Sequence, residues 1–169
     1  IQYSIERGVL NALIDNKQAL KVDDGTIILS AKGVKKVKNA VIKNSGSLRA
    51  DGITKKGGKI YLSASNGKVL NSGVIATNSQ QNKGGSIRVT AENIQIDENS
   101  KISTVGKKSG GLIEIGGSWQ NSNKEVFQAT NTTIAEGTIL DASAFDMGDG
   151  GEIVVWSDIH NSNSKTTVK

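Results

Sequence analysis

The chain has 169 residues, with 20 glycines, no proline, no cysteine, one histidine and only 4% aromatic residues. That length fits one domain with its own core, and the missing cysteines exclude a disulfide framework, thiolate chemistry and thiolate metal sites. A net charge of +5 leaves acidic partners open, whereas no run approaches the ~20 apolar residues of a membrane-spanning helix.

The opening Ile1-Gln2-Tyr3-Ser4-Ile5-Glu6-Arg7 is no signal peptide and reads as a start within a longer chain. Between Ser4 and Leu20, apolar residues at Ile5, Val9 and Leu13, and at Leu10 and Ile14, admit a helix. Gly8-Val9-Leu10-Asn11-Ala12 also resembles a phrase that recurs downstream, which favours a repeat unit instead. Next comes Asp24-Gly25-Thr26-Ile27-Ile28-Leu29, a weak first copy of a Gly-Gly-x-apolar-x-apolar phrase. Full copies follow at Gly57–Leu62, Gly84–Val89, Gly110–Ile115 and Gly150–Val155. A second phrase alternates with the first: Asn44-Ser45-Gly46-Ser47-Leu48, then Asn71-Ser72-Gly73-Val74-Ile75, then Asn99-Ser100-Lys101-Ile102, and more loosely Glu136-Gly137-Thr138-Ile139-Leu140. Leu48, Ile75 and Ile102 stand 27 residues apart twice over, and Ile60, Ile87 and Ile113 stand 27 and 26 apart.

Two phrases holding one period mark an internal repeat. Within each phrase the apolar residues alternate, as in a half-buried strand: Ile87, Val89 and Ala91 oppose Ser86, Arg88 and Thr90. An antiparallel sandwich also uses short alternating strands, but its successive strands occupy unlike environments and need no sequence period. The reading is therefore an all-β right-handed parallel β-helix with coils of about 27 residues, stacked about 4.8 Å apart. Three interior ladders are expected. One runs through Leu48, Ile75, Ile102 and Ile139, another through Ile27, Ile60, Ile87, Ile113 and Ile153, and the last through Leu29, Leu62, Val89, Ile115 and Val155. Outside, Arg88 and Glu114 are expected as an ion pair on adjacent coils. Ile87→Asp is then expected to be severe and Arg88→Asp slight.

The body of the domain is placed at residues 1–158, with an inserted loop or extra coil at about 118–135, because the spacing from Ile113 to Ile153 lengthens to 40 residues. Residues 159–169 are expected as a polar tail, and His160 within it has no oriented partner for nucleophilic chemistry.

Met147-Gly148-Asp149-Gly150-Gly151-Glu152-Ile153-Val154-Val155-Trp156-Ser157-Asp158 resembles the Gly-Asp-Gly-Gly-x-Val-Val-Val-Trp-Ser-Asp signature of bacterial exoproteins of the filamentous-haemagglutinin and high-molecular-weight-adhesin group. Val9–Asn16, Asp24–Gly33 and Gly116-Gly117-Ser118-Trp119 are similar to that group as well. The resemblance implies a passenger segment of a fibre exported by two-partner secretion. A partner pore in the outer membrane of a Gram-negative bacterium and a host-cell receptor or glycan would be its partners. The family's secretion domain carries Asn-Pro motifs, and this proline-free chain lacks them.

No catalytic, cofactor-binding or metal-binding residues are assigned. Parallel β-helices that act on polysaccharides gather carboxylates on neighbouring coils, and the outward strand positions Lys59, Tyr61, Ser86, Arg88, Leu112, Glu114, Glu152 and Val154 show no such aligned pair. Nucleic acid is not expected, because the lysines are scattered apart from Lys32, Lys35, Lys36 and Lys38, and few aromatics could stack bases. Asn131-Thr132-Thr133 is a possible glycosylation acceptor at Asn131. Leu112, Trp119, Phe127, Val154 and Trp156 form a candidate apolar patch: either an exposed strip for a partner, or a strip covered by the segment 118–135 as a flap. A monomer is expected.

Overall fold

The computed structural model describes residues 2–8, 13–32 and 40–169. The regular elements of the described chain are all strands apart from one short 3-10 turn at Trp119–Asn121. Three strand positions recur in chain order. The first is filled by β1 (Gln2–Gly8), β4 (Thr26–Lys32), the front of β7 (Lys59–Asn71), the front of β9 (Ser86–Ile96), β11 (Leu112–Ile115) and β14 (Glu152–Val155). The second is filled by β2 (Leu13–Asn16), β5 (Ala40–Asn44), the ends of β7 and β9, β12 (Asn131–Ile134) and β15 (Lys165–Val168). The third is filled by β3 (Ala19–Lys21), β6 (Ser47–Arg49), β8 (Val74–Ala76), β10 (Lys101–Ser103) and β13 (Ile139–Asp141).

Every strand pair among the described residues is parallel, and each strand pairs with its equivalent in the next repeat. An antiparallel sandwich is thereby excluded. So is a helix over Ser4–Leu20, where β1 pairs with β4 and β2 pairs with β5. The phrase Val9–Ala12 and the lysines Lys35, Lys36 and Lys38 lie outside the described residues.

Register places the apolar residues in columns. Ile27, Ile60, Ile87, Ile113 and Ile153 pair in succession, as do Leu29, Leu62, Val89, Ile115 and Val155. From Ile27 to Ile113 and from Leu29 to Ile115 these side chains are essentially sealed from water. Burying each stabilises the fold by roughly 1.5–3 kcal/mol. The third expected column needs a correction. Leu20, Leu48, Ile75 and Ile102 continue into Leu140, because Ile139 pairs with Lys101 and is 52% exposed. A slip of one residue sends a side chain to the opposite face of a strand. Gly137, at φ +73, sits in the turn that sets this register.

A further column escaped the sequence reading. At the second strand position, Asn16, Asn44 and Asn71 stack in register. The Asn16 amide donates to Asn44 Oδ1 at 2.8 Å, and the Asn44 amide donates to Asn71 Oδ1 at 2.7 Å. Asn71 closes the run by donating to the Gly73 carbonyl, while Ser100 Oγ donates to the Asn71 carbonyl at 2.8 Å. Asn44 and Asn71 are fully buried, so the amide chain satisfies groups that water cannot reach. Ile96 and then Ile134 take the next rungs.

This ladder makes a pH-dependent prediction. Asn44→Asp keeps an acceptor for Asn16 but, when ionised, sets a carboxylate against Asn71 Oδ1 with no proton to donate. A destabilisation of about 2–4 kcal/mol is expected at pH 7. Burial raises the folded pKa of such a group. The protonated acid restores the donor, so relief is complete below about pH 3.9, the unfolded value, and is lost as pH rises through the folded pKa. Thermal melts of the variant and wild type between pH 3 and 8 measure this difference. A gap independent of pH would contradict the role given to the amide proton.

The insertion lies inside one repeat. Between the first and second strand positions the inner residues are Val89 and Ile94 in one repeat but Ile115 and Thr132 in the next, so the chain there loops out. Residues 131–134, placed by sequence within the insertion, are the regular strand β12, flanked by β9 and β15. The polar tail likewise contains β15, paired with β12 along Lys165–Val168.

Candidate functional site

The outer face of β9, β11 and β14 carries the residues singled out from sequence. Tyr61, Arg88, Glu114 and Val154 occupy one outward column. The expected ion pair is present: Arg88 Nε donates to Glu114 Oε2 at 2.6 Å, and the guanidinium lies 5.6 Å from the centre of the Tyr61 ring. The Glu114 side chain is only 10% exposed. A carboxylate so covered depends on its partner, so Arg88→Asp would set two carboxylates together at a nearly dry site. The slight effect expected from sequence is corrected on that ground.

Exposure along the candidate apolar strip is uneven. Val154 faces outward yet is 3% exposed, whereas Ile153, on the inner column, is 42% exposed. Alternation alone predicts the reverse. Ile153 lies on the last described strand of its column, with no further rung stacked on it. The segment from Ser118 to Thr130 is tied to the residues that follow β11 and β14. The Ala129 N–H donates to the Gly116 carbonyl, the Asp158 N–H donates to the Ala129 carbonyl, and Val126 within the segment is buried. The Trp119 and Trp156 rings meet at 5.3 Å between centres, tilted by 52°. Offset or tilted aromatic pairs contribute about 0.5–1.5 kcal/mol beyond area burial.

The structure thus brings Trp119 and Trp156 together and buries Val154. Trp119 remains 55% exposed and Phe127 37% exposed. Leu112 belongs elsewhere, lining a groove with Lys56, Lys59, Lys83 and the glycine pairs. Asn131 is exposed in β12, and its amide donates to Asn93 Oδ1 at 2.9 Å. His160 is exposed, and its backbone N–H donates to Asp158. Among the described residues, no three His, Cys, Asp or Glu side chains come together as a metal site, and no helix is long and apolar enough to cross a membrane.

Sequence reasoning missed the asparagine column and the lysine-walled groove. The groove had a signal: Lys56, Lys83 and Lys108 each stand within two residues of a Gly-Gly pair.

These strands define an all-β protein built on parallel sheets. No protein-family model matches the chain. It is similar to a heme/hemopexin-binding protein of Haemophilus influenzae, with 35% identity over 66 residues, or 39% of this chain. The chain spans about 7% of that relative's length.

Proposed function

We propose that this chain is a structural and adhesive segment of a secreted bacterial surface exoprotein of the filamentous-haemagglutinin type. In this reading its repeats stack as a right-handed parallel β-helix. The observation that carries it is the continuity of two apolar columns across five successive repeats, in unbroken parallel register. Stacked coils require that arrangement, and each added coil lengthens a stiff rod while burying its own apolar face. The Gly148–Asp158 stretch adds its likeness to the exoprotein signature. The segment acts geometrically, as a rod that displays outer faces and loops away from the cell. Its partners are a host-cell receptor or glycan, with an outer-membrane pore serving the parent protein, and it performs no catalysis.

A second reading follows from the Haemophilus relative: the segment binds a host haem-carrying protein. One experiment addresses both. Purified chain is presented to cultured epithelial cells, a glycan array, and immobilised hemopexin with and without haem. Saturable attachment to cells or glycans is expected. Attachment to hemopexin alone would replace the adhesive reading with the second, and attachment to nothing would reduce the segment to a spacer. Turnover of an acidic polysaccharide would overturn both in favour of an enzyme.

A further inference from the structure

The long strand β7 slips register once against β9. Ala64 pairs with Ala91 and Lys68 with Asn93, so Ser65, Asn66 and Gly67 stand against Glu92 alone. None of the three pairs with a residue of β9, and the surplus forms a bulge in the ladder. On its other edge β7 pairs with β5 from Gly67 onward, beginning opposite Ala40. Asn66 carries the bulge in left-handed backbone, at φ 57, and is exposed. Asparagine is among the few residues with a side chain that adopt this region readily. Gly67 answers a different demand, since a Cβ there would strike the carbonyl oxygen of Ala40. The fold thus favours asparagine at the first position and requires glycine at the next.

That order sets an amide side chain beside a backbone nitrogen that no Cβ shields. Elsewhere in the chain the residue after each asparagine has a side chain, which hinders ring closure between the asparagine Cγ and that nitrogen. Asn66-Gly67 is the one Asn-Gly pair in the sequence. Asn99 offers an internal comparison, being exposed and also left-handed, at φ 62. It precedes Ser100, however, which is fully buried and tied by its hydroxyl to the Asn71 carbonyl. Asn44 and Asn71 likewise precede serine, and their amides are buried and held within the ladder. Of these four, only Asn66 joins an exposed side chain to an unshielded neighbour.

We infer that Asn66 is a site of spontaneous deamidation in the folded chain. The Gly67 nitrogen gives its proton to solvent base and attacks Asn66 Cγ. The new N–C bond closes a succinimide, and the Cγ–Nδ2 bond breaks as ammonia leaves with a proton from water. A second water then opens the ring. Cleavage between the nitrogen and Cγ leaves aspartate. Cleavage between the nitrogen and the Asn66 backbone carbonyl carbon leaves isoaspartate, which routes the main chain through the side chain and lengthens it by one methylene. A bulge takes up an added main-chain atom where a paired ladder would not. Either product carries a carboxylate, so the net charge of +5 falls by one unit. The new charge sits beside exposed Lys68 and outside the apolar columns. None of this depends on the adhesive reading.

The test holds the purified whole chain at pH 6 and at pH 8 and maps its tryptic peptides over weeks by mass spectrometry. Trypsin releases residues 60–68, which contain Asn66 and no other asparagine. Conversion of this peptide to aspartate and isoaspartate is expected, at least about tenfold faster at pH 8, where more of the attacking amide is deprotonated. Peptides carrying Asn44 and Asn71 should convert at least about tenfold more slowly, since the buried ladder must open before they can react. Asn66→Gly keeps a residue suited to positive φ, and should lose the acidic species that wild type accumulates on ion exchange. Thermal melts establish that this variant folds. A 60–68 peptide converting no faster than the Asn99 peptide would overturn the site. So would equal acidic drift in Asn66→Gly, or conversion seen only after unfolding in urea, because the bulge would then protect the pair.

Discussion

Ile87→Asp is expected to abolish cooperative folding or to lower the melting temperature more than any other single change in the first strand position. Ile87 is fully buried between Ile60 and Ile113, and no polar group of its column can receive a carboxylate. The substitution forfeits about 2–3 kcal/mol of apolar burial. It also adds the cost of placing a charge, or a neutralised acid, in an apolar column, which is several kcal/mol more. The sum reaches the whole stability of an ordinary domain, about 5–15 kcal/mol. In the proposed stack the lesion sits mid-column, so repeats on either side lose their common neighbour and melt at different temperatures. Lys68→Asp is the control, since Lys68 is an exposed residue within β7, and its effect should stay within about 0.5 kcal/mol. Arg88→Asp should fall between them, at about 1–3 kcal/mol, through loss of the Glu114 partner. Differential scanning calorimetry of the three variants gives the order. Equal melting of Ile87→Asp and Lys68→Asp would refute the assigned facing.

Alternation and a fixed period were enough to read two columns rung by rung, because β-branched residues at every second position leave one face to bury. Where turns vary in length the same signal slips. Asn99 looks like Asn44 and Asn71 in sequence, yet it occupies a turn at φ +62, and Ile96 takes the rung above Asn71. For the same reason Leu140, rather than Ile139, continues from Ile102. The amide ladder was illegible because Asn-Ser-Gly is also ordinary turn chemistry, and its hydrogen bonds join residues 27 or 28 positions apart. At the candidate patch, facing was legible but burial was not. Val154 points outward as alternation requires, yet it is 3% exposed, a burial that alternation alone does not encode.

Gly84→Ala and Gly150→Ala replace the same letter of the same phrase, and their expected outcomes are opposite. A Cβ on Gly84 would meet the carbonyl oxygen and carbon of Thr104 and the amide nitrogen of Gly111, all of them backbone atoms. Backbone cannot turn aside as a flexible side chain can, so neighbouring repeats must separate locally. That strains the pairing on which both the Gly84 and Ser109 turns depend. A loss of about 3 kcal/mol or more is expected, above the usual range for an added methyl group in a packed interior. On Gly150 the nearest atom is the Ala142 carbonyl oxygen at 3.8 Å, an ordinary contact, and the backbone there is not left-handed. Alanine at that position should be neutral or stabilising by about 0.4–1 kcal/mol, through the lower entropy of the unfolded chain. Gly137→Ala separates the two causes, since its surroundings are open but its φ is +73, so conformational strain of about 1–2 kcal/mol acts alone. Urea denaturation of the three variants measures the series. Should Gly84→Ala lose no more than Gly137→Ala, the glycines would serve only to turn the chain, and the close approach of successive repeats would not be what demands them.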